Sequence, residues 1–211
     1  MSRKLQYDLG GLSRLIEAVG LGQILSTVAY SLNLGSGLIG RSQLPGDAVM
    51  VIVYVWILTV FVGFFLLVVW VYRAATNAAL IMPDERWIRP WWTVIWWFVP
   101  IINLWQPIRS MSQIWNASVD HDIDLNGPAA PAVTTWWLLQ LFAPALASLL
   151  AGDRQNEEYV LGASMLFMAG STAALFAILK SVPNGQISKA NAETGVRQGP
   201  SVGSMVAPST K

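Results

Sequence analysis

Along the chain, long apolar runs alternate with short polar breaks. Ala18 to Gly40 carries no charged side chain, although Gln23, Ser26, Thr27 and several glycines soften it. Ala48 to Tyr72 is an unbroken run of 25 uncharged residues, about 37 Å long as a helix. Pro131 to Ala151, with Pro144 inside it, and Tyr159 to Leu179 complete the set. Each run approaches the ~20 apolar residues that a bilayer crossing requires. The pattern predicts an all-α integral membrane bundle with four transmembrane helices near residues 18–40, 48–72, 131–151 and 159–179.

A fifth apolar stretch has a different character. Six of the eleven tryptophans fall between Trp87 and Trp105, in a segment punctuated by Pro90, Pro100 and Pro107. A proline inside a helix removes a hydrogen bond and bends the chain. A membrane tolerates such a break where protein or cavity water satisfies the freed groups. Tryptophan favours the depth of the lipid headgroups. Residues 89–116 are therefore expected to form a Pro-broken, Trp-rich re-entrant or interfacial segment, the alternative being a fifth span. The "QPIRSMSQIW" that ends it is amphipathic, with Ile108, Met111, Ile114 and Trp115 on one face.

Charge placement separates these two topologies. With five spans the Lys and Arg residues divide almost evenly between the two sides. With a re-entrant segment only Arg41 and Arg154 lie outside, and the other eleven lie inside. The positive-inside rule prefers the second arrangement.

The ends are polar. Residues 1–13 read as a cytoplasmic N-terminal segment, 14–182 as the membrane domain, and 183–211 as a disordered, dispensable tail rich in Gly, Ser and Pro. The start does not resemble a signal peptide, because Asp8 and Glu17 interrupt the approach to the first apolar run.

Composition supports a bilayer and narrows the chemistry. The 211 residues are 54% hydrophobic and only 12% charged, with mean hydropathy +0.49; soluble domains carry about 25% charged residues. A net charge of +1 offers no broad basic surface, so no nucleic-acid partner is expected. The chain has no cysteine and one histidine, which leaves no Cys or multi-His metal site. No cofactor is implied, and no sequence signature of a hydrolase or nucleotide-binding loop occurs.

Three smaller features invite a site reading and are better explained otherwise. "DIDLNG", Asp122 to Gly127, opens like a calcium loop, but the closing position is Val133 and Pro128 follows the glycine; it reads as a solvated turn. His121, between Asp120 and Asp122, reads as a surface residue. Glu17 lies close enough to the membrane edge to snorkel or to pair with Arg14. In the last run, Gly170 with Ala174 and Ala173 with Ala177 have the small-xxx-small spacing of close helix contacts, or simply reflect how common Gly and Ala are there.

Trp70, Arg73 and Asn77 end the second apolar run on one helical face. Pro90, Trp92, Trp96, Trp97, Pro100, Asn103, Leu104, Trp105, Pro107 and Trp115 then follow. This succession, specific over roughly residues 60 to 120, resembles the bacterial membrane proteins grouped as domain of unknown function 4328 (DUF4328). The polar N-terminal extension of many members has no counterpart here. The resemblance implies a multi-pass protein of the bacterial cytoplasmic (inner) membrane and lends no activity. Trp92, Trp96, Pro100, Asn103 and Pro107 fall within about 80° on a continuous helix. That face is expected to pack on Trp70, Arg73 and Asn77, with Arg73 or Asn77 bonding the broken turn.

The expected function is non-enzymatic: a scaffold, accessory subunit or membrane sensor, in contact with lipid, with a membrane-protein partner or a second copy as the candidate protein contact. The alternative is a small transporter, channel or lipid-handling protein using the broken helix. A cavity around Trp96, Pro100, Asn103 and Arg73 would favour the alternative, and tight apolar packing the first.

Overall fold

The computed structural model describes residues 5–38, 42–82, 89–119, 127, 129–151 and 157–197, and among them it is entirely helical. Helix α1 is Gly10–Leu38, α2 Gly46–Ile81, α3 Pro90–Ile95, α4 Gln106–Val119, α5 Pro131–Ala151 and α6 Glu157–Arg197. Short 3-10 turns at Trp96–Phe98 and Ile102–Leu104 join α3 to α4. Three helices are long and apolar enough to cross a membrane, within Gly10–Ser36, Gly46–Ile81 and Val160–Ala192. The fourth expected span coincides with α5, 21 residues long, which does not join that group.

Element boundaries depart from the hydropathy reading at three places. Helix α1 starts at Gly10 rather than Ala18, so Arg14 and Glu17 lie on its first turns. Helix α2 continues nine residues past Tyr72, because Arg73, Thr76 and Asn77 are good enough helix formers once their neighbours bury them. It ends at Met82, immediately before Pro83, where the chain must leave the helical region. The third departure corrects the expected tail. Helix α6 runs through Pro183 to Arg197, and Val182, Pro183 and Gln186 are buried. Residues 198–211 lie outside the described part.

The cause of this extension is a helix contact that only glycine allows. A Cβ at Gly185 would stand 2.2 Å from the Ser118 carbonyl oxygen and 3.3 Å from the Val119 Cα. The two backbones therefore touch, and the partners are main chain, which cannot move aside. Composition had marked "PNGQISK" as loop-like. Its glycine is a contact residue, and Gln186 and Lys189 supply the bonds that hold the contact together.

The long helices form an arc in the order α2, α1, α6, α5. Helix α1 runs against α2, with Ser13 beside Trp70 and Gly22 beside Thr59. It also runs against α6, with Gly20 at Phe176 and Gly162 at Leu34. Helices α2 and α5, at the ends of the arc, are not packed along one another among the described residues. The tryptophan segment fills part of the space between them. Its first arm places Trp91 on Tyr72, ring centres 5.4 Å apart, and Trp97 on Phe64, 6.0 Å apart. That is eight residues, about 12 Å, along α2. The chain then turns, and α4 returns until Ala117 packs on Ala78. Both arms thus begin and end at the C-terminal end of α2.

The turn follows from Pro100. The residue before a proline is pushed out of the helical region, and Val99 is extended at φ −97°, ψ 108°. The Asn103 N–H then donates to the Val99 carbonyl at 2.8 Å, restarting the helical direction toward α4. Pro90 sits in the first turn of α3, where a missing N–H costs nothing.

The core occupies the same end as this hairpin. Every buried residue of α2 lies at Leu67 or beyond, and Trp70, Ala74 and Ala78 are fully enclosed. Met111 and Ile114 of α4, Val133 of α5 and Ile178, Leu179 and Val182 of α6 meet them there. The first half of α2 instead turns Tyr54, Leu58, Phe61 and Phe65 outward, each about 60% exposed. Apolar side chains in such number on one helix mark a lipid-facing surface. In the last helix Gly170 faces α5, 3.3 Å from Leu139 by its would-be Cβ, whereas Ala173 and Ala177 are exposed. Only the first small-residue pair contributes to packing.

Replacing Gly185 by valine is expected to lower the detergent melting temperature markedly, by at least the ~1–3 kcal/mol of ordinary overpacking. Gly11→Ala, which meets no neighbour within 4 Å, is the matched control. Truncation after Val182 should destabilise the bundle as well. A Gly185→Val melt that matches the control would show that α4 and α6 do not touch there.

Candidate ligand-binding site

Because the hairpin reaches only part of the way along α2, it leaves a cavity of about 450 Å³ beyond its turn. Thr59, Gly63 and Phe64 of α2 and Trp136, Gln140 and Leu141 of α5 form opposite walls. Gly20 and Gln23 of α1 and Met168, Ser171 and Thr172 of α6 form the back. Trp97 and Asn103 close the end toward the core. The α2 and α5 walls belong to the two ends of the arc, which are not packed along one another among the described residues.

The end wall is rigid. The Trp97 ring lies 6.0 Å from Phe64, 6.0 Å from Trp136 and 6.5 Å from Trp137. Trp137 donates from its Nε1 to the Leu104 carbonyl at 3.1 Å, satisfying one of the peptide groups that the turn frees. The Trp97 Nε1 is buried without a partner.

The walls carry amides and hydroxyls in an otherwise apolar space. Thr172 donates from Oγ1 to the Gln23 Oε1 at 3.0 Å, and Ser171 from Oγ to the Gln140 Oε1 at 3.0 Å. Each hydroxyl also has a backbone acceptor at similar distance, Met168 for Thr172 and Trp136 for Ser171. Thr27 donates to the Gln23 carbonyl. No acidic, basic or histidine side chain lines the cavity among the described residues, and no cluster of metal-ligand side chains occurs among them.

A second polar knot lies at the other end of the core. The Asn77 amide pairs with both backbone groups of Tyr7: Nδ2 donates to the Tyr7 carbonyl at 2.8 Å, and Oδ1 accepts from the Tyr7 N–H at 3.0 Å. Its other Nδ2 hydrogen goes to the Gln186 Oε1. Gln186, fully buried, donates from Nε2 to the Ala74 carbonyl and to the Ser118 Oγ, both at 3.1 Å. Lys189 donates to the Ala117 carbonyl at 2.8 Å. The knot ties four parts of the chain together. A cavity of about 200 Å³ beside it is lined by Tyr7, Asn77 and Gln186, whose amides are already engaged within the protein.

This knot corrects the expected docking of the tryptophan face. Trp70 donates to Ser13 at 2.9 Å, Arg73 lies over the Tyr7 ring at 5.4 Å, and Asn77 holds Tyr7. All three serve the segment around the start of α1, and none bonds the broken turn. The first half of the expected inward face points away instead, while Pro107 is buried and Asn103 lines the cavity. Trp92 is exposed, with Trp96 stacked on it at 5.0 Å, and Pro100 is exposed at the apex. Thr93, Trp97 and Pro107 are the buried positions, Trp115 packs partly on the core, and Trp105 is half exposed. A continuous helical wheel fails here because the chain stops being a helix at Val99, which rotates everything after it. Of the expected cluster only Trp97 and Asn103 reach the cavity.

The remaining small features are settled where they can be. Val133, at the closing position of the calcium-like loop, is fully buried; Asp120 to Asn126, with His121, lie outside the described residues. Arg14 donates from Nε to the Gly10 carbonyl, with no ion pair to Glu17 among the described residues. Gln23, Gln140, Ser171 and Thr172 were not singled out as a site. Their signal was legible: uncharged polar groups inside apolar helices, on faces that meet.

Comparison with known proteins gives a family and no activity. Residues 41–182 match the family model described as Domain of unknown function (DUF4328). No curated protein matches the chain, and no solved structure matches it.

Asn77→Leu should be the damaging substitution at the knot. It strips both Tyr7 bonds and leaves the Gln186 carbonyl buried and unpaired, a loss of about 1–3 kcal/mol. Arg73→Lys should stay within about 1 kcal/mol, since lysine keeps a cation within reach of the Tyr7 ring and the half-buried pair is worth about 1–2 kcal/mol in all. Melting of the purified variants checks the order; an Arg73→Lys protein weaker than Asn77→Leu would restore the arginine as the organising group.

Proposed function

The chain belongs to the DUF4328 family, and for it we propose a non-catalytic role: a multi-pass protein of the bacterial inner membrane that holds a bilayer-soluble small molecule, as a small transporter or lipid-handling protein does. One observation carries this reading, the cavity of about 450 Å³ that α1, α2, α5, α6 and the hairpin turn enclose. Its size lies within the ~300–1,000 Å³ usual for ligand pockets. Its aromatic and aliphatic walls, with a few polar groups among them, match the usual composition of such pockets. A scaffold or sensor of packing alone has no use for amides with spare donors lining such a cavity, which weigh against tight association.

The proposed topology places the described ends on one side. Helices α1, α2, α5 and α6 each cross, and the tryptophan hairpin enters and leaves from the cytoplasmic face. The pairing of Tyr7 with Asn77 and of Ser118 with Gln186 supports this, since it draws the two ends and the hairpin's return arm to one end of the bundle. Half-entered helices beside a ligand cavity recur in transporters.

Two measurements test the proposal. Cysteines at Ala130 and Ser188 should label from the cytoplasmic side and one at Leu44 from the opposite side, the native chain having none of its own; opposite labelling of Ala130 and Ser188 would overturn the topology. Leu141→Trp, which fills the cavity from the α5 wall, should abolish retention of a co-purified small molecule in native mass spectrometry while leaving the melting temperature nearly unchanged. If wild type and Leu141→Trp retain the same molecules in the same amounts, the cavity is not a binding site.

A further inference from the structure

The cavity presents hydrogen-bond donors that nothing in the protein uses. Gln23 is 9% exposed, yet among the described residues its Nε2 has no acceptor, and its one side-chain bond is that from Thr172 to Oε1. Gln140 of the α5 wall, itself an exposed residue, has the same pairing, with Ser171 at Oε1 and no acceptor for Nε2 among the described residues. The Asn103 side chain, at the end wall, makes no hydrogen bond among the described residues. Three primary amides from α1, α5 and the hairpin turn therefore converge on one space.

This conclusion survives the choice of amide orientation. Each hydroxyl carries one hydrogen and faces two acceptors. Should it donate to its backbone carbonyl, the glutamine turns over and gives one N–H to the hydroxyl oxygen. A second N–H still remains for the cavity, now with Oε1 beside it. Either way the space receives at least one N–H from each glutamine.

Unsatisfied donors in an apolar layer are costly, and they define what would relieve them. A hydrocarbon chain alone leaves all three amides unpaired. A carboxylate, phosphate or ammonium brings a charge into a space with no counter-charge on its walls. What fits is an uncharged head with oxygen acceptors, small enough for about 450 Å³, on a tail that leaves through the gap between α2 and α5.

Resting on the cavity reading above, we propose that the ligand is a neutral amphipath whose carbonyl, ester or hydroxyl oxygens accept from Gln23, Gln140 and Asn103, with its alkyl or isoprenyl tail in the bilayer. Two sources share that chemistry, an uncharged glycerolipid and a quinone. The aromatic wall of Trp97, Trp136 and Trp137 flanks the head in both cases.

The test uses the purified full chain and native mass spectrometry with five probes: dioctanoylglycerol, decylubiquinone, myristate, tetradecylamine and tetradecane. Dioctanoylglycerol, decylubiquinone or both should bind at least about tenfold more tightly than the other three, as expected for two or more hydrogen bonds. The stronger of the two identifies the source. Gln23→Leu combined with Gln140→Leu should remove that advantage while tetradecane binding stays unchanged. Both hydroxyls keep their backbone acceptors in that variant, so the fold retains its own bonds. Should it still fail to accumulate, the ranking of the five probes on wild type decides by itself.

Myristate or tetradecylamine binding as tightly as the neutral heads would overturn the neutral assignment. Tetradecane binding equally well, with the double variant silent, would overturn the head-group assignment and leave a plain hydrophobic pocket, still sensitive to Leu141→Trp. No binding of any probe, with Leu141→Trp indistinguishable from wild type, would remove the cavity reading and this inference together.

Discussion

A helix broken inside an apolar layer must have its freed peptide groups satisfied by protein, because lipid offers no hydrogen-bond partner. Pro100 imposes that requirement here, and much of the architecture answers it. Val99 leaves the helix, Asn103 recovers one bond by reaching back to it, and Trp137 crosses from α5 to bond Leu104. A crossing tryptophan fixes how far α5 stands from the turn. The turn then fixes how far α2 and α5 stand apart, since Trp97 fills the space between Phe64 and the two α5 tryptophans. The ends of the arc are held open by the same groups that close the break.

What could be read from sequence divides along physical lines. Long apolar runs depend only on local composition, so the positions of α2 and α5 and the break at Pro100 were legible. The family resemblance was legible because its tryptophans and prolines have fixed spacing, and the match over residues 41–182 bears it out. Helix ends were less so. The start of α1 and the stretch from Pro183 to Arg197 look polar and loop-like, and they are helical because of partners far away in sequence: Asn77 for Tyr7, Ser118 and Ala74 for Gln186. Propensity is a weak prior that such contacts override.

The misreading of Arg73 and Asn77 has a definite origin. Both were assigned to the tryptophan segment because a membrane amide and a guanidinium seek partners and the broken turn offered some. The segment around Tyr7 offered better ones. An exposed pair of main-chain groups before a helix start matches the two ends of a carboxamide, and Asn77 takes both. With its third bond committed to Gln186, nothing of Asn77 remains for the hairpin. The hairpin turn is served instead from α5, a helix whose tryptophans had not been weighed.

The contrast between the two polar clusters carries the functional argument furthest. Around Gln186 every amide valence is used, and the partners come from the first residues, α2, α4 and α6; such a knot specifies the packing of the ends. Around Gln23 and Gln140 each amide is half used among the described residues, and both side chains line the cavity. Packing needs do not account for the difference, because leucine at either position would be the cheaper filling for a membrane helix. The half-satisfied amides sit where the hairpin stops short, at the level where α2 loses its core and becomes lipid-facing. A chain selected only for a stable bundle would carry its broken helix further and fill that gap with side chains; this one stops short and leaves a cavity lined by amides and hydroxyls.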